Sequence, residues 1–156
     1  MKQGLIESLK SMRQFFLNTI SCLTEDDSAY APKEGMYTVA EVIGHTAHTV
    51  EWFMDGAFGP NGFDMNFENY AERMKQHTSL TKSVVYFQEV VDNAIQSITD
   101  MADAQLVELL PEGPVMGGAP KMAVIGAIAD HTAHHRGALS VYARLLGKIP
   151  QMPYGD

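Results

Sequence analysis

The run Asp130-His131-Thr132-Ala133-His134-His135-Arg136-Gly137 gathers three of the six histidines of this 156-residue chain into eight positions, with His45 and His48 far upstream. Two residues four apart on a helix project from one face, so His131 and His135 can grip a single ion. Neutral imidazole is a borderline ligand suited to Zn, Ni, Cu or Fe, and a third nitrogen makes a tripod with one coordination position open. Catalytic centres keep such a position and structural ones fill it.

The third nitrogen has to come from another helix. On the last helix the inward stripe reads Val124, Ile128, His131, His135, Ala138 and Tyr142 at steps of three and four. His134 is turned about 60° from His131 and about 100° from His135, towards a neighbouring groove or solvent. Upstream, His45 shares a stripe with Val42, Thr49 and Trp52, whereas His48 is turned about 60° off it. The seam set is therefore His45, His131 and His135. Three readings fit this spacing: a shared metal ion, a histidine-lined polar network, or surface histidines that do not face the core. Three imidazoles in an apolar seam each need a partner, and one ion supplies all three. No Glu is followed three residues later by His, so the Glu-x-x-His pairs of di-iron bundles are missing, as is the His-Glu-x-x-His zinc-protease pattern. A mononuclear site is expected.

Supporting roles are fewer. Asp130 points about 100° away from His131 and is not assigned to orient it. Arg136 could steer an anionic substrate, although an ion pair with Glu41 or Glu51 is the expected use. His48 and Glu51 line the adjoining face as potential proton carriers or as solvated groups. Trp52 and Tyr142 are expected to close the pocket. Cys22 is expected to be a buried thiol, and Met12, Met74, Met101 and Met122 core filler.

The elements that carry these residues can be read from period and punctuation. Leu5, Leu9, Met12, Phe16, Ile20 and Leu23 mark a first helix over residues 2 to 24, ended by Glu25-Asp26-Asp27 and Pro32. Thr38 and Glu41 form a capping-box pattern that starts the second, which should stop before Gly56 and the Gly59-Pro60-Asn61-Gly62 turn. Residues 63 to 77 read as a long connection in which Phe67, Tyr70 and Met74 have helical spacing. Leu80 to Ile98 give a third helix, Pro111 to Pro120 punctuate another connection, and Lys121 to Leu146 form the fourth, with Gly147 placed to cap it. The fold class is all-α, a four-helix bundle with long inter-helix connections in one domain over residues 1–156.

The net charge of −8 and the lack of a Lys/Arg cluster argue against nucleic acid. A single Cys22 makes no intramolecular disulfide, and the longest apolar stretch, Met122 to Ala129, is too short to span a bilayer. The expectation is a cytoplasmic protein without membrane partners.

Thr38-Val39-Ala40-Glu41 followed by His45, and His131-Thr132-Ala133-His134-His135-Arg136-Gly137 leading to Arg144-Leu145-Leu146-Gly147, resemble the DinB/YfiT-like family of metalloenzymes. The resemblance implies a four-helix bundle, often a homodimer, in which His45, His131 and His135 bind one divalent metal, commonly nickel or zinc. The wider superfamily includes thiol-dependent transferases, which implies a low-molecular-weight thiol as a candidate cofactor. One departure is Ala138, where the family often has Gln. The leading expectation is an enzyme acting on a small electrophilic substrate, an S-transferase, which the resemblance favours, or a hydrolase, whose ion activates a thiol or water. The alternative is a non-catalytic metal-binding or stress-response module in which the ion or histidine network is structural; folding would then depend on the ion.

Overall fold

The computed structural model describes residues 1–154. Four long helices, α1 (Lys2–Ile20), α2 (Val39–Phe58), α4 (Leu80–Asp100) and α6 (Val124–Leu145), are joined through the short α3 (Tyr70–Met74) and α5 (Asp103–Val107). Among the described residues there is no strand, only an isolated bridge between Leu109 and Pro120. No described helix is long and apolar enough to cross a membrane.

Connectivity is the feature that matters for the site. α1 packs on α4 and α6, and α2 packs on the same two helices. The consecutive pairs α1/α2 and α4/α6 therefore stand on the two diagonals of the bundle, which is why their connections are long. This places α2 directly against α6. The centre is filled by side chains at three- and four-residue steps, among them Leu9, Phe16, Ile43, Val50, Phe87, Val91, Ile128 and Leu139, all buried, with the Phe16 and Phe87 rings 4.5 Å apart.

Several boundaries differ from the periodic reading. α1 ends at Ile20, because Ser21 turns back on Asn18 and Leu23 on Ile20 by backbone bonds; Leu23 remains buried outside the helix. The acidic run Glu25-Asp26-Asp27 is a capped 3-10 turn in which the Asp27 carboxylate accepts from the Thr24 amide at 2.6 Å. Its Asp27 also pairs with Lys148 beyond α6, and Glu25 accepts from the Thr81 amide at 2.8 Å at the head of α4. Cys22 is half-exposed rather than buried.

The Thr38/Glu41 capping box starts α2, with Thr38 accepting from the Glu41 amide and Glu41 from the Thr38 amide. α2 then passes through Gly56 to Phe58. Gly56 is a packing residue here: a Cβ would lie 2.1 Å from the Phe63 ring. Gly44 does the same for His77, whose ring would meet a Cβ at 2.2 Å. Both glycines let the connection between α2 and α4 lie directly on α2. A 3-10 turn over Lys121–Ala123 precedes α6, and Gly147 ends it with φ +74°. The helix α5, unmarked by long periodicity, is anchored by the fully buried Leu106.

Candidate metal centre

His131 and His135 occupy successive turns of one face of α6, and the α2/α6 contact brings His45 against them. Their ring centroids are 4.4 Å apart, and the His45 ring lies 5.0 Å from His131 and 4.6 Å from His135. One nitrogen from each falls within 4.8 Å of the others, a group able to hold a metal ion. All three side chains are half-buried.

Burial makes these imidazoles poor bases. It pulls His45 down to about 4, helped by charge repulsion from His131, His48 and His134. His135 falls to about 3, again through burial first and then through His131 and His45. His131 is lowered by burial and by His134, with Asp130 opposing. Near neutral pH the cluster is uncharged, the state in which imidazole donates a lone pair to a metal.

The donor set fits a divalent ion on geometry as well. The Nε2 atoms of His131 and His135 are 3.1 Å apart, close to the roughly 3.4 Å edge implied by a tetrahedral ion with metal–nitrogen bonds of about 2.0–2.1 Å. In the neutral pair only one of these nitrogens can donate to the other. His131 Nδ1 is buried without a hydrogen-bond partner among the described residues.

Around the cluster the structure gathers Trp52, expected there, and further residues that had not been assigned to the site. The Tyr70 hydroxyl is 2.8 Å from His45 Nδ1, and the Tyr37 ring lies 5.6 Å from that of His45. A cavity of about 290 Å³ opens on His45 and His131 between Thr49, Trp52, Phe53, Phe67 and Tyr70. Trp52 is fixed by its indole N–H, which donates to the Asp64 carbonyl at 2.7 Å. The Phe67/Tyr70/Met74 spacing carried the signal for Tyr70.

The other candidates have different places. His134 is exposed, with its ring 4.8 Å from that of His135. His48 faces a second cavity, of about 150 Å³, whose lining includes Glu51, Asp55 and Arg73. There it lies 3.0 Å from the Tyr86 hydroxyl, which donates to Glu51 at 2.8 Å, and 3.3 Å from Arg73. His48 and Glu51 are thus members of a network rather than separately solvated groups. The Glu51 carboxyl is held below its usual range chiefly by His48, with Tyr86 assisting against desolvation. Trp52, Phe67 and Tyr70 line both cavities and stand between them.

Arg136 and Tyr142 are not brought to the cavity. Arg136 pairs with neither Glu41 nor Glu51; it lies over the Phe15 and Tyr154 rings, on the α1 side of α6, and donates to the Tyr154 hydroxyl. Tyr142 donates to the Tyr37 carbonyl at 3.1 Å, so it anchors the segment beside His45 without lining the site. Ala138 is half-buried on the same stripe.

An all-helical bundle whose α2 and α6 present three histidines to one point defines a class, and the chain belongs to the DinB superfamily, whose family model matches residues 8–139. Among solved structures it is similar to YfiT from Bacillus subtilis, described as a probable metal-dependent hydrolase with an unusual four-helix bundle topology. That likeness has a TM-score of 0.69 at 15% identity and covers 94% of this chain and 88% of the other. It establishes the shared fold. No curated protein matches the chain.

Proposed function

We propose that this chain is a divalent-metal-dependent hydrolase of small molecules in which His45, His131 and His135 hold one zinc or nickel ion. The observation that carries the reading is the convergence of three uncharged imidazole nitrogens from two helices within 4.8 Å, beside a cavity that admits a small ligand. A bound divalent ion at such a centre supplies Lewis acidity and a nucleophile usable near neutral pH.

The chain's own residues do the rest. His45, His131 and His135 offer three ligands, and the other histidines of α2 and α6 are otherwise disposed: His134 is exposed and His48 is engaged by Tyr86 and Arg73. That supports an open position and therefore catalysis over a purely structural ion. Trp52, Phe53 and Phe67 give the cavity an apolar wall, which lowers the local dielectric beside a bound substrate and so strengthens its electrostatic interactions. Thr49 and Tyr70 supply its hydroxyls.

The S-transferase implied by the family resemblance differs in its nucleophile, so one assay separates the two. Metal-loaded and metal-stripped protein are compared on panels of small esters, amides and electrophiles, each with and without a low-molecular-weight thiol. Turnover without thiol that disappears on stripping the metal supports the hydrolase. Turnover only with thiol replaces it by the transferase, and equal rates with and without metal reject both.

A further inference from the structure

On the α1 side of α6 a further cavity, of about 290 Å³, opens between the two helices. Small residues leave that space: Ser8 and Ser11 line it from α1, and Ala129 and Ala133 from α6. Met12 and the Phe15 ring give it an apolar wall. Its one charged lining residue is Arg136, and no carboxylate lines it among the described residues. The adjoining cavity, of about 260 Å³, shares Arg136 and adds Arg144, again without a carboxylate. In a chain of net charge −8, this local balance is reversed.

Arg136 is held ready rather than used up. Its guanidinium lies over the Phe15 and Tyr154 rings, 5.8 and 5.5 Å from their centroids, and donates to the Tyr154 hydroxyl at 3.3 Å. Tyr154 is itself fixed edge-on to Phe15, with ring centroids 4.9 Å apart, and Asn18 donates to the Pro153 carbonyl at 3.1 Å. The guanidinium fork is thus half-buried and oriented, while it pairs with no carboxylate among the described residues. Thr132 is a second, independent pointer. It is 1% exposed and lines the same cavity, yet its hydroxyl has no hydrogen-bond partner among the described residues. Thr46 and Thr49 of α2, by contrast, spend theirs on the carbonyl one turn back.

A planar anion matches the arginine fork, and a single guanidinium between apolar walls balances a single charge. The remaining space is apolar and suits a hydrocarbon body. We propose that the α1/α6 groove binds a small organic monocarboxylate, its carboxylate on Arg136 and the Thr132 hydroxyl and its apolar tail along Met12, Phe15 and Ala133. This cavity shares no lining residue with the one beside the three histidines, and the binding does not depend on a metal ion.

Octanoate is the probe, titrated calorimetrically into the full chain and followed by 1H–15N NMR. Binding should saturate and be at least about tenfold tighter than for neutral octanamide or inorganic phosphate, which lack the charge and the tail respectively. Arg136→Met should weaken it about tenfold to a hundredfold, the range for hydrogen bonds to a charged group. Ala133→Leu, at an exposed position that tolerates bulk, should fill the groove and abolish binding. Shifts should centre on Phe15, Thr132 and Arg136. Absence of saturable binding, octanamide or phosphate binding as tightly as octanoate, or unchanged affinity in either variant overturns the site. Shifts centred on His45 and Thr49 would put the carboxylate in the other cavity and overturn it equally. If Arg136→Met does not fold, Ala133→Leu and the octanamide comparison still decide.

Discussion

The Nε2 atoms of His131 and His135 lie 3.1 Å apart across one turn of α6, with the His45 ring from α2 set against both. Replacing His135 by Ala removes one donor and leaves His131 with no ring partner on its own helix. Divalent-metal affinity should fall by more than the roughly tenfold to hundredfold that an orienting neighbour is worth. Isothermal titration of His135→Ala and His45→Ala against wild type measures this, with circular dichroism to establish that each variant is folded.

Acid should destabilise the metal-free protein in a defined window. His45 and His135 titrate near 4 and 3 in the folded state because burial disfavours their charged forms, whereas an unfolded histidine titrates near about 6.5. The unfolded chain therefore binds protons first as pH falls. Stability is fully present above about 6.5 and declines from there through the folded values. The loss should be on the order of 1 kcal/mol or more by pH 5, or about 2–4 °C in Tm for a chain of this size. Melting curves from pH 7.5 to 5 should show it, and a His45→Gln/His135→Gln double variant should show a flatter profile.

The fold was legible where a helix is long and amphipathic. Phe16, Phe87 and Ile128 are core residues at helical spacing, and the Thr38/Glu41 capping box and Gly147 mark real helix ends. The helix pairing was not legible, because periodicity shows which face of a helix is buried but not what it is buried against. The diagonal placement of α1 and α2 follows only from the tertiary contacts. Gly56 read as a stop because glycine has a low helix propensity; the gain from seating Phe63 against its bare Cα outweighs that preference. In the site, the i,i+4 histidines and His45 stood out from their neighbours. Tyr70 escaped because it sits in a short helix within a connection, where spacing is too brief to show what a side chain will meet.

Those glycines make a direct prediction. Gly44→Ala gains about 1 kcal/mol of helix propensity, but its methyl would sit 2.2 Å from the His77 ring. The overlap involves ring atoms close to the backbone of His77, so relief requires moving the connection. Net destabilisation of about 1–3 kcal/mol is expected from overpacking of this kind, read from urea unfolding. Gly126→Ala, where nothing lies within 4 Å of the new methyl, should be neutral or stabilising.

The Lys148–Asp27 ion pair ties the end of α6 to the turn after α1. Burial acts to raise the Asp27 carboxyl, but bonds from Lys148 and Thr24 outweigh it and hold the group below its usual range. Lys148→Met leaves this buried carboxylate with one strong partner fewer, and should cost about 1–3 kcal/mol at pH 7. Because the folded carboxyl titrates low, the pair contributes above the unfolded value near about 4 and is lost as pH falls through the folded one. Urea unfolding at pH 7 and pH 3 should therefore show the variant's deficit at the first and a smaller one at the second.

The proposed centre requires His45, His131 and His135 together to hold one divalent ion. Elemental analysis of protein purified without a histidine tag, loaded with zinc or nickel and freed of excess, tests it most directly beside the three single alanine variants. About one ion per wild-type chain is expected, as a mononuclear three-histidine centre requires, and substoichiometric metal in every variant. Wild-type protein without stoichiometric metal under any loading condition, or variants that retain as much metal as the wild type, would contradict it.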